Sequence, residues 1–142
     1  LEYDQVKKSY FSDGVLITGA SSVDDSPSDT AELYLPSSNV SCSLPQLPED
    51  RYTHTIESTG LLCGGGDTED SCLQWSPDTG SWEELLTLDL DVTRNDHISW
   101  TPGTDIGTYL MGGSESEMMR TTTLIKPDGT QEPGFPLMYD TR

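Results

Sequence analysis

Short apolar runs broken by turn-forming residues dominate the chain, and no stretch of useful length carries the three-to-four-residue apolar spacing of an amphipathic helix. Val15 to Ile17 and Tyr109 to Met111 read as short buried strands. "PDTG" at 77–80 and "PDGT" at 127–130 read as reversals, because Pro fixes φ while Gly and Asp tolerate the turn. The pattern predicts an all-β chain.

The runs recur. "GVLITGA" at 14–20, "GLLCGGG" at 60–66 and "GTYLMGG" at 107–113 each open on Gly, pass through apolar residues and close on small ones. "AELYLPSSN" at 31–39, "CLQWSPDTG" at 72–80 and "TTLIKPDGT" at 122–130 each set an apolar residue two places before a proline, Pro36, Pro77 and Pro127. "EDRYTHT" at 49–55 and "VTRNDHI" at 92–98 place Arg51 and Arg94 three residues before His54 and His97. Three units with a period of about 45 residues follow, each with room for four short strands, and that is the sequence signature of propeller blades. The expected organisation is one domain over 1–142, with repeats at approximately 1–50, 51–93 and 94–142.

These residues resemble the kelch repeat: an Arg-led strand, an apolar strand ending in Gly-Gly, a variable loop, an aromatic followed by x-Pro-x-Thr, and a Trp about five residues after that proline. The second unit is most similar, with Arg51, Gly65 and Gly66, Trp75, Pro77, Thr79 and Trp82 in the family's places. Unit one keeps Tyr34 and Pro36 but has Ala20 for the second glycine and Ser41 for the tryptophan. Unit three keeps Arg94, Gly112, Gly113 and Pro127 and lacks both aromatics. The resemblance implies kelch-like β-propeller blades, about three of them and four-stranded. Closed propellers use about four to eight blades, so the chain is expected to be a partial propeller or part of a larger or assembled one. In the assembled case one chain's last blade would pack on the next chain's first.

On this reading Gly65 and Gly66 have a backbone role, ending an inner strand where a Cβ would be costly. Trp75, Trp82 and Trp100 are expected to pack between blades.

Charge narrows the partners. Seven Lys and Arg against 25 Asp and Glu give a formal charge of −18, which repels nucleic-acid phosphates and anionic lipid alike. The 142 residues include three Trp, six Tyr and two Phe, enough aromatic surface to predict folding despite that charge. No apolar run approaches the length of a membrane span, and no charged-then-apolar leader opens the sequence, so a cytosolic or already processed chain without membrane insertion is expected.

The candidate chemistry is sparse. The glycines at 64–66 run into Asp67, Thr68, Glu69 and Asp70, and carboxylates there would repel the phosphate that a P-loop grips. Cys63 and Cys72 flank one expected hairpin and are predicted to form a disulfide, leaving Cys42 over. Zinc spacing is absent. Asn39-Val-Ser41 is a glycosylation acceptor triplet, and with the disulfide it favours a secreted, extracellular protein.

The loops after the inner strands are acidic: Asp24, Asp25 and Asp29, then Asp67, Glu69 and Asp70, then Glu115 and Glu117. They keep the protein soluble or form a rim that attracts weakly bound Ca²⁺ or a basic partner; their spacing does not fit an EF-hand. No other cofactor is expected. Among kelch-like propellers the galactose-oxidase type holds copper through tyrosines and histidines of several blades. Here the two histidines, His54 and His97, sit at matching positions one blade apart. The expected function is therefore non-enzymatic: an extracellular binding or structural protein that uses its blades for protein-protein interaction and self-assembly. The alternative is a fragment of a larger secreted propeller with a galactose-oxidase-like or glycan-binding role.

Overall fold

The computed structural model of the chain describes residues 14–19, 28–65, 71–87, 96–103, 105–113 and 121–137. These residues are all-β, with no helix among them. The first sheet is β1 (Val15–Thr18), β2 (Ala31–Leu35) and β3 (Val40–Ser43). The second is β4 (Thr55–Ile56), β5 (Leu61–Cys63), β6 (Ser71–Ser76) and β7 (Ser81–Thr87). The third is β8 (Ile98–Gly103), β9 (Gly107–Met111), β10 (Thr122–Ile125) and β11 (Gln131–Pro133). Each is an antiparallel meander in which sequence neighbours are hydrogen-bonded neighbours.

Turn chemistry explains the hairpins. After β6 the chain reverses over residues 77–80, where Gly80 adopts φ 65° and its N–H donates to the Ser76 carbonyl at 2.8 Å. Between β10 and β11, the Asp128 carboxylate accepts from the Thr130 N–H at 2.9 Å and from its hydroxyl at 2.6 Å, and Gly129 takes φ 81°.

Backbone geometry fixes how the units superpose. Gly19, Gly64 and Gly112 have φ of 58°, 67° and 66°. Their N–H groups donate to the carbonyls of Thr30, Ser71 and Thr121 at 2.8, 3.0 and 3.1 Å. These three are the equivalent strand-ending glycines, so the pair in the second unit is Gly64–Gly65, one residue before the Gly65–Gly66 expected from sequence; Gly66 lies outside the described residues. The end of the strand sets the register, and the opening glycines slip by one against it. Gly19 shows why a side chain is excluded: a Cβ there would strike the Arg51 carbonyl and lie 2.7 Å from His54 Cε1.

In this register Ile17, Leu62 and Leu110 share one position, and Leu16, Leu61 and Tyr109 share the next. The period of two along each strand sends them to opposite faces. Leu62, Leu73, Trp75 and Trp82 are buried in one cluster with Ala31 and Leu47, between the first and second sheets. Leu61, Cys63 and Cys72 are buried in another with Leu110 and Ile125, between the second and third. The second sheet is thus covered on both faces, which is why "LLC" is apolar without alternation. Trp75 and Trp82 meet edge to face at 5.3 Å, and the Trp82 indole N–H donates to the Pro45 carbonyl at 3.1 Å, so both pack between the first and second sheets.

Candidate functional site

Buried polar groups close the junctions between sheets. Arg51 is fully buried; its guanidinium donates to the Gly64 carbonyl at 2.8 Å, to the Ser71 carbonyl at 3.3 Å and to the Ser71 hydroxyl. Half-exposed Glu49 lies 3.6 Å away as its counter-charge. The Arg51 N–H also donates to the Ser28 carbonyl at 3.1 Å, so one residue ties the entry to β2 to the ends of β5 and β6. Arg94, its repeat partner, is outside the described residues.

The two histidines each reach back one sheet. His54 Nε2 shares a hydrogen bond of 2.8 Å with the Thr18 hydroxyl of β1, and His97 Nε2 shares one of 2.8 Å with the Thr55 hydroxyl of β4. Burial, then the nearby Arg51 charge, pushes the His54 pKa down from 6.5 to about 4, with the Thr18 contact acting in the opposite direction. A histidine depressed in the folded state is protonated more readily in the unfolded one. Its stabilisation is therefore complete above about pH 6.5 and is lost as pH falls toward 4. From pH 7.5 to 5 this linkage amounts to about 2 kcal/mol, most of it above the range where carboxylates titrate. A His54→Gln variant should show a flatter stability profile than wild type over that interval in urea titrations. Parallel profiles would remove His54 as the group responsible.

Cys63 and Cys72 form the disulfide, directly opposed on β5 and β6 and buried. In the chain-entropy account a loop of this size contributes about 2.5–3 kcal/mol. Cys42, on β3, is a free, partly buried thiol. Asn39 stands exposed in the β2–β3 turn at φ 52°, its Oδ1 accepting from the Tyr34 hydroxyl at 3.0 Å. Pro77 opens the β6–β7 turn, and Gly113 follows Gly112 with φ 110°.

Of the eight acidic-rim residues only Asp29 lies among those described; Asp24, Asp25, Asp67, Glu69, Asp70, Glu115 and Glu117 do not. The Asp29 carboxylate accepts from Gln46 Nε2 at 3.1 Å, which ties it to the segment after β3. Among the described residues no three His, Cys, Asp or Glu side chains gather as metal ligands, and no helix is long and apolar enough to cross a membrane. A cleft of about 330 Å³ opens between the second and third sheets beside Thr59, Gln74 and Thr108; Lys126 on its wall is ion-paired with Glu132 at 2.6 Å.

The most distinctive surfaces are the outer faces of the end sheets. On the first, Val15 and Ile17 are both 51% exposed, although Leu62 and Leu110 at the position of Ile17 are fully buried. On the third, Ile98 is 66% and Trp100 52% exposed, and Phe135 is exposed as well. Trp100 stacks on Tyr109 at 5.9 Å, and Tyr109 meets Phe135 at 5.2 Å. Trp100 therefore does not pack between the described sheets as Trp75 and Trp82 do. It lies on the side of the third sheet that no other described sheet covers, open along β8, whereas on the same side Thr122 and Leu124 of β10 are buried and the Thr122 hydroxyl donates to the Phe135 carbonyl. The alternation Ile98-Ser-Trp100 marked a two-faced strand, but a repeat pattern does not say which face lacks a neighbour. Compared with known proteins, the chain matches no family model and no curated protein.

Proposed function

We propose that this chain is a non-enzymatic, kelch-like propeller segment of an extracellular binding or structural protein, engaging protein partners, other copies of itself among them, through the outer faces of its end sheets. The observation that carries this reading is the contrast at one repeat position: Leu62 and Leu110 are sealed under a neighbouring sheet while Ile17 is half open to water. Contiguous exposed apolar surface on a sheet marks an interaction site more often than ornament. The kelch assignment rests on the spacing of Arg51, Gly112, Gly113, Trp75, Pro77 and Trp82. The buried disulfide supports an oxidising compartment, and the exposed Asn39 is a glycan acceptor consistent with it.

Sedimentation velocity tests the reading. At 0.15 M salt, where the repulsion of the −18 charge is screened beyond about 8 Å, the weight-average mass should rise with concentration above 15.6 kDa. A compact monomer at every concentration would remove the self-association.

A further inference from the structure

We infer that the self-association is head-to-tail: the outer face of the third sheet of one copy docks on the outer face of the first sheet of the next. This rests on the self-association proposed above and assigns its two halves. At both internal junctions unlike faces meet. The first sheet presents the side bearing Leu16 to the side of the second bearing Leu62, and the second presents the side bearing Leu61 to the side of the third bearing Leu110. Among the described residues, the faces without a neighbouring sheet are one of each kind. The third sheet's is the side of Tyr109, which is the position of Leu16 and Leu61; the first sheet's is the side of Ile17, which is the position of Leu62 and Leu110. Joining them continues the packing already made twice within the chain.

Charge opposes the alternative of like on like. Glu32 pairs with Ile17 across β1 and β2 and shares its face, exposed and accepting from the Ser41 hydroxyl at 2.9 Å. Two first-sheet faces brought together about a two-fold axis would set this carboxylate near its own mate in a chain already at −18. The third-sheet face offers the aromatic rings of Trp100 and Tyr109, and the carboxylate it carries, Glu132, is already held by Lys126 at 2.6 Å. A head-to-tail contact is heterologous, so it closes into a ring or runs open according to the rotation between copies.

Complementation tests the assignment. Ile17→Glu blocks only the first-sheet face and Trp100→Glu only the third-sheet face. Each variant alone should sediment as a monomer, with at least a ten-fold weaker apparent association. Their equal mixture should form a one-to-one dimer and nothing larger, because the intact face of each fits the intact face of the other. Trp100 emission, carried in the mixture by the Ile17→Glu copy, should shift to shorter wavelength. If wild type associates but only one variant dissociates, or the mixture stays monomeric, the head-to-tail pairing is overturned while self-association stands. A monomeric wild type overturns both. Thermal unfolding of each variant controls for folding, and Ile17→Ser with Trp100→Ser repeats the scheme with milder changes.

Discussion

Truncating Leu62 to alanine is expected to cost about 3–4 kcal/mol in urea unfolding, while Ile17→Ala at the same repeat position costs under about 1 kcal/mol at concentrations where the chain is monomeric. Leu62 is fully enclosed by the cluster of Leu73, Trp75, Trp82, Ala31 and Leu47. Removing its branched end therefore leaves a cavity as well as forfeiting buried area. Ile17 is 51% exposed, so its truncation exchanges one partly hydrated surface for another. The two values should converge as concentration rises, because a second copy seated on Ile17 makes its site resemble that of Leu62. Equal costs at low concentration would mean that the outer face of the first sheet is already covered.

That comparison also marks what the sequence could reveal. The reversals at Pro77 and Pro127 were legible because Pro, Asp and Gly encode them locally. So was the Cys63–Cys72 pairing, since two cysteines flanking one hairpin have few other geometries. Trp75 and Trp82 were legible as packing residues from their place around a turn. The end sheets were not. A repeat pattern gives Ile17, Leu62 and Leu110 the same environment, and only the number of neighbours on each side separates a core leucine from an open isoleucine. The exposure of Trp100 escaped for the same reason. The register of the glycines escaped by one residue because the units vary in strand length: the hydrogen bonds from Gly19, Gly64 and Gly112 define equivalence, and no spacing in the sequence states which glycine makes them. The reach of His54 to Thr18 and of His97 to Thr55 is long-range, joining residues from different units, and periodicity within a unit carries no information about it.

Arg51→Ala should destabilise the chain by about 3–5 kcal/mol, lowering the melting temperature by roughly 10–15 °C. In a chain with seven basic residues, spending one fully inside the fold needs a structural return. The return is that two carbonyls at the mouth of the loop between β5 and β6, those of Gly64 and Ser71, point at the guanidinium along with the Ser71 hydroxyl. Alanine removes the guanidinium donors from the buried Gly64 carbonyl and from part-buried Ser71, whose carbonyl still accepts from the Gly64 N–H, and it empties the volume of the side chain. Two further variants separate the contributions. Arg51→Met refills most of the volume without donors and should recover only the packing part. Arg51→Lys keeps the charge but replaces a planar fork with one ammonium, which cannot hold all three acceptors at once, so it should fall between Met and wild type. Amide exchange at the strand ends beside Gly64 and Ser71 should accelerate in Met and Ala alike, since both lose the clamp. If Arg51→Met unfolds at the wild-type denaturant concentration with unchanged exchange, those carbonyls find other donors and Arg51 serves as filler, leaving the disulfide at Cys63 and Cys72 as what holds the loop mouth shut.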